Sequence, residues 1–119
     1  MTDTPIFVNS KLYILTLENG KFYVGKTTDP NTIFSQHING IAYTRLNKIL
    51  HITILPENIS AIYEDCVTLS FMSQLGIDNV RGGKYSSIIF SETELKNIIE
   101  DLNKPNPVYP NLTEYFYFV

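Results

Sequence analysis

Two phenols, Tyr13 and Tyr23, stand on either side of Glu18-Asn19-Gly20 in the stretch KLYILTLENGKFYVGKT. Phenols, imidazoles, thiols and carboxylates are the side chains that exchange protons with a reacting group, and carboxylates also hold hard cations. His37, His51, Cys66 and the Glu64-Asp65 pair have that capacity elsewhere in the chain. Arg81-Gly82-Gly83-Lys84 joins two cations to two glycines, a composition that suits a phosphate-contacting loop and equally a plain one. Taken singly, each has an ordinary structural reading. Paired tyrosines pack sheets, a histidine just before a helix stop interacts with the helix dipole, and adjacent acids on a helix form a solvated face. His51 lies in an apolar strand and reads as structural. Cys66 falls on a buried helix face, where a thiol behaves as a small hydrophobe.

The elements that must position these groups follow from the hydrophobic pattern. SKLYILTL and KFYVG are apolar, aromatic runs around a glycine-containing turn, which predicts a hairpin. DPNTIFSQHING begins with Asp-Pro and stops at Asn39-Gly40, predicting a short helix. NKILHITIL predicts a third strand, closed off by Pro56. From Glu57 to Gly76 the residues Ile59, Ile62, Tyr63, Cys66, Val67, Leu69, Met72 and Leu75 recur at helical spacing. SETELKNIIEDLNK opens with Ser91 and Glu94 in capping-box spacing and then shows one apolar face. KPNPVYPN reads as a proline-punctuated linker and TEYFYFV as a final strand. The expected order is β-β-α-β-α-α-β, an α+β domain with a small, mostly antiparallel sheet flanked by helices. Residues 1–9 are expected as an N-terminal extension, 10–104 as the domain, and 105–119 as the linker and aromatic strand.

A chain of 119 residues is expected to form one domain with one modest core. The single cysteine excludes an internal disulfide and fits a reducing compartment. The start, MTDTPIFVNS, has neither a basic region nor a long apolar run, and nothing later approaches a membrane span. The expectation is a soluble, intracellular protein with no membrane partner, in which the Asn111-Leu112-Thr113 sequon is coincidence. A net charge of −3 argues against indiscriminate nucleic-acid binding, whose affinity comes mostly from phosphate neutralisation. The acidity is uneven: residues 10–90 carry +1 and residues 91–119 carry −3. The body can therefore still present a basic face.

Two registers are open to the hairpin. A two-residue Asn19-Gly20 turn pairs Leu17 with Phe22 and puts Tyr13 and Tyr23 on opposite faces. A three-residue loop, with Gly20 left-handed, pairs Leu15 with Tyr23 and puts the tyrosines together. Both leave an apolar face, so the pattern alone does not choose.

The ordered set of Leu12-Tyr13, Tyr23-Val24-Gly25, Lys26-Thr27, GIAYTRLNKI, Glu64 and GIDNVRGGKY resembles the GIY-YIG nuclease domain over roughly Lys11 to Phe90. The last motif resembles the short GIY-YIG proteins of large DNA viruses, which implies a virus-infected cell. The resemblance implies metal-dependent hydrolysis of a phosphodiester, with DNA as partner and Mg²⁺ or Mn²⁺ as cofactor if the site is active. It implies that Tyr13 and Tyr23 are the hairpin tyrosines, that His37 lies near the nucleophile, that Glu64 is the metal ligand and that Asn79 supports the site. Lys26 would contact phosphate. It also favours the three-residue loop.

One family residue does not carry over. The arginine expected eight residues after Gly25 and four before His37 is Ile33, and the family's first glycine is Lys11. A guanidinium suits phosphate because its fixed fork of donors matches the oxygens. Losing a preorganised donor costs about 10²–10³ in rate, and losing a phosphate-clamping arginine on the order of 10³–10⁵. The leading expectation is therefore a degenerate nuclease domain, weak or inactive, that retains a nucleic-acid or protein-binding surface. One alternative is an active endonuclease in which Arg45 or Arg81 compensates, with Lys84 as a further substrate contact. The other is an interaction module that self-associates or takes a protein partner through its aromatic C-terminal strand.

Overall fold

In the first strand, β1 (Lys11–Leu17), Leu12 to Leu17 are all buried, so both faces of the sheet are covered there. The computed structural model describes residues 10–40, 42–56, 59–60 and 63–104. The expected N-terminal extension, proline-rich linker and aromatic final strand lie outside them. β1 pairs antiparallel with β2 (Phe22–Thr27) on one side and with β3 (Ile49–Ile54) on the other. A three-residue strand, β4 (Val80–Gly82), adds parallel to β2, giving the order β3-β1-β2-β4. The helices are α1 (Ile33–Gly40), α2 (Ala42–Leu46), α3 (Glu64–Leu75) and α4 (Glu92–Leu102). The fold is α+β, as expected, with a mixed sheet in which two of the three strand pairings are antiparallel.

The hairpin adopts the three-residue loop. Leu15 faces Tyr23 and Tyr13 faces Gly25. Asn19 (φ 64°) and Gly20 (φ 70°) are both left-handed, a conformation that asparagine and glycine adopt at least cost. The alternation of β1 then divides the interior in two. Leu12, Ile14, Phe22, Val24 and Val80 meet Val67, Phe71 and Met72 of α3 and Ile98 of α4. On the opposite face Tyr13, Leu15, Leu17 and Tyr23 form a second cluster with Ile33 of α1 and Tyr43 of α2.

The structure differs from expectation in three places. GIAYTRLNKI contains a second short helix, α2, before β3. The stretch expected as a loop at Arg81 contains β4, which is too short to show a period of two and exists because Val80 is buried beside Phe22. The long helix begins at Glu64, not Glu57: the amides of Ile59 and Tyr63 close tight turns onto Pro56 and Ser60. Glu64 and Asp65 then occupy the first helical turn, where the macrodipole favours carboxylates. The capping box on α4 is present as expected, with Ser91 and Glu94 each accepting from the other's backbone amide. Among the described residues no helix is long and apolar enough to cross a membrane.

Candidate active site

The register of the hairpin turns both phenol rings toward α1. Asp29 starts the approach to that helix by accepting from the Asn31 amide, with Pro30 just inside the turn. His37 lies one helical turn beyond Ile33 and is fully buried. Its ring meets Tyr13 and Tyr23 edge-on, with centroids 5.6 and 4.8 Å away. The Thr44 hydroxyl donates to the His37 carbonyl at 3.2 Å, so its oxygen accepts from the imidazole Nδ1, 3.0 Å away. That leaves Nε2 as an acceptor, and the Tyr13 hydroxyl donates to it at 2.5 Å.

Burial lowers the His37 pKa from 6.5 to about 4, so the imidazole is neutral at pH 7. Burial, then the charges of Tyr23 and Glu64, raise the Tyr13 phenol well above its ordinary value. Tyr23 is raised by burial and then by Glu64. The Glu64 carboxyl is itself raised by burial, an effect that Lys26 opposes and Asp65 reinforces. Lys26 Nζ is 4.0 Å from Glu64 and half exposed, a pair of small energetic weight. The structure thus gathers Tyr13, Tyr23, His37 and Glu64, with Lys26 at the rim. The arrangement sets a hydrogen-bonded phenol against a neutral imidazole beside one carboxylate, and with the phenol raised and the imidazole lowered the proton stays on Tyr13.

Gly25 makes this packing feasible. A methyl group there would run into the Tyr13 ring, which His37 holds in place. Gly25→Ala is expected to destabilise the fold by about 1–3 kcal/mol, the usual cost of overpacking. A urea midpoint equal to that of the natural protein would show that the ring yields freely.

The remaining expected site residues go elsewhere. Ile33, at the position of the family arginine, is fully buried in the cluster with the tyrosines. Arg81 was expected as a phosphate contact or a substitute for that arginine. Instead it is 4% exposed and donates to the carbonyls of Ile77, Val80, Ser87 and Ile88. Its guanidinium carbon lies 3.8 Å from the Phe90 ring centre and 5.0 Å from that of Tyr43. Arg45 is exposed and lines a separate groove with Phe34, Thr44, Lys48 and Ile49. Lys84 lies toward α4, 4.0 Å from Asp101 and over the Tyr85 ring. Asn79 accepts from Lys21 at 2.9 Å and donates to the Leu75 carbonyl at 2.8 Å, which ties the hairpin turn to the end of α3. Both the oxygen and the nitrogen of its side-chain amide are engaged there.

Among the described residues the donor set makes no all-protein cage for a divalent cation. Glu64 is a single carboxylate, and one oxygen of neighbouring Asp65 accepts from the Lys84 amide. Among the described residues no group of three His, Cys, Asp or Glu side chains could hold a metal. Magnesium takes a near-octahedral oxygen shell, in which Glu64 would supply one ligand and water or a substrate phosphate the rest. Thr44, which sets the His37 tautomer, was missed in the sequence. It lies across a break between two helices from His37, so no spacing rule connects them. The chain matches no protein-family model, no curated protein and no solved structure.

Proposed function

We propose that this chain is a GIY-YIG-like domain whose phosphodiester-cleaving site is incomplete. On this reading hydrolysis is weak or absent and the retained function is binding, to nucleic acid or to a protein. The observation that carries it is Ile33: the position that resembles the family's arginine holds a buried aliphatic side chain against both tyrosines. The commitment of Arg81 to four backbone carbonyls, and the exposure of Arg45 beside Phe34 and Lys48, support the reading that neither supplies the missing donor.

The test is cleavage of supercoiled and branched DNA with Mg²⁺ or Mn²⁺ by the natural protein, Glu64→Ala and Ile33→Arg. The natural protein should cut at or near background. Metal-dependent cutting that Glu64→Ala abolishes would overturn the reading. Cutting gained only by Ile33→Arg would support it. Because a buried arginine can unfold the domain, circular dichroism must show that the variant is folded before its result counts. The bonded chain of Tyr13, His37 and Thr44 favours a second reading, an active nuclease, which the first outcome would establish.

A further inference from the structure

A groove of about 480 Å³ opens where α1, α2 and the start of β3 meet. Phe34, Thr44, Arg45, Lys48 and Ile49 line it. Phe34 follows the buried Ile33, so the helical turn swings its ring outward, and it is 54% exposed. The ring therefore offers a flat aromatic face to solvent. Arg45 and Lys48 are exposed, and neither is in an ion pair among the described residues. Among the described residues no acid lines the groove; the nearby Glu18 carboxylate accepts from the Lys48 amide.

A bare aromatic face beside two unpaired cations, with no acid between them, complements a ligand that has flat rings and regularly spaced negative charges. We infer that this groove binds single-stranded nucleic acid, with a base stacked on Phe34 and neighbouring phosphates on Arg45 and Lys48. The strand must be single because duplex bases are stacked on one another and have no face to offer. Thr44 joins the groove to the candidate site, since its hydroxyl is the partner of His37 Nδ1. The inference deepens the binding surface proposed above and rests on that reading for nucleic acid as the ligand class.

Anisotropy of fluorescein-labelled twelve-nucleotide oligodeoxynucleotides, single-stranded and duplex, tests it in EDTA, where metal-dependent cutting cannot occur. The single strand should bind more tightly than the duplex. Phe34→Ala should weaken it about 5-fold or more, the lower end of what one stacked base contributes. Arg45→Gln and Lys48→Gln should each reduce the slope of log affinity against log salt by roughly 0.7. All three positions are exposed, and unchanged thermal melts exclude unfolding as the cause. No binding at low salt, or binding that none of the three changes affects, would overturn the inference. So would a concentration-dependent mass that Phe34→Ala abolishes while no oligonucleotide binds, because the groove would then be a contact between copies. Plasmid cutting by the natural protein would overturn the incomplete-site reading and leave this result standing.

Discussion

Arg81→Ala should lower the free energy of unfolding by about 3–5 kcal/mol. Four carbonyls, those of Ile77, Val80, Ser87 and Ile88, take their hydrogen bonds from this one guanidinium. Each buried carbonyl left without a donor costs about 1–3 kcal/mol. Water entering the vacated space offsets part of the sum, since three of the four bonds are only partly buried. Loss of the contacts with Phe90 and Tyr43 adds to the effect. Arg81→Lys should fall between, because an ammonium has three donors and no planar fork. Urea denaturation followed by circular dichroism measures all three proteins. A loss below about 1 kcal/mol for Arg81→Ala would mean that the guanidinium is free to leave, and would return it to consideration as a phosphate ligand. The same bonds explain why β4 persists with only three residues: the arginine fastens residues 77–90 around it.

Acid should weaken the fold between about pH 6.5 and about pH 4, and His37 should account for one proton of that loss. The unfolded imidazole titrates near 6.5 and the folded one near 4. A histidine whose folded pKa is depressed contributes stability that is complete above 6.5 and is lost as pH falls toward 4, because the unfolded chain binds the proton first. At 1.36 kcal/mol per unit the total is about 3 kcal/mol. Glu64 works in the opposite sense, since its raised carboxyl takes up a proton earlier in the folded state. Glu94 and Asp101, held low by their hydrogen-bond partners, lose their contribution only in more acid solution. The difference between the natural protein and His37→Gln therefore isolates the imidazole. Stability measured from pH 7 to pH 4 should fall more steeply, by about one proton, in the natural protein. Equal slopes would refute the assignment. A resonance assigned to the His37 imidazole that titrates near 6.5 in the folded protein would do so as well.

Both results depend on side chains whose fate no local pattern discloses. Arg81 in NVRGG reads as a mobile cation because glycines follow it. Burial of the stretch between α3 and α4 turns it into a structural donor instead. His37 reads as a helix-terminal residue until the hairpin register brings Tyr13 over its Nε2 and α2 brings Thr44 to its Nδ1. Glu64 falls within a run of helical spacing that starts seven residues earlier, and only the tight turns onto Pro56 and Ser60 make it the first residue of α3.

By itself, the sequence determined the elements whose signals are local. The hairpin runs, the third strand, the helix after Asp29-Pro30 and the capped helix after Ser91 were all legible, because alternation, prolines and caps act within a few residues. The three-residue loop, which the hydrophobic pattern left open and the resemblance favours, is the register adopted, while the tertiary structure alone decided that a short parallel strand joins β2 and that one face of the sheet closes over Ile33. Those outcomes rest on contacts between residues far apart in the chain. For KLYILTLENGKFYVGKT the physical reason is that both registers bury an apolar face, and only the register with Tyr13 over Gly25 places the phenols where a buried, neutral His37 can accept from one of them.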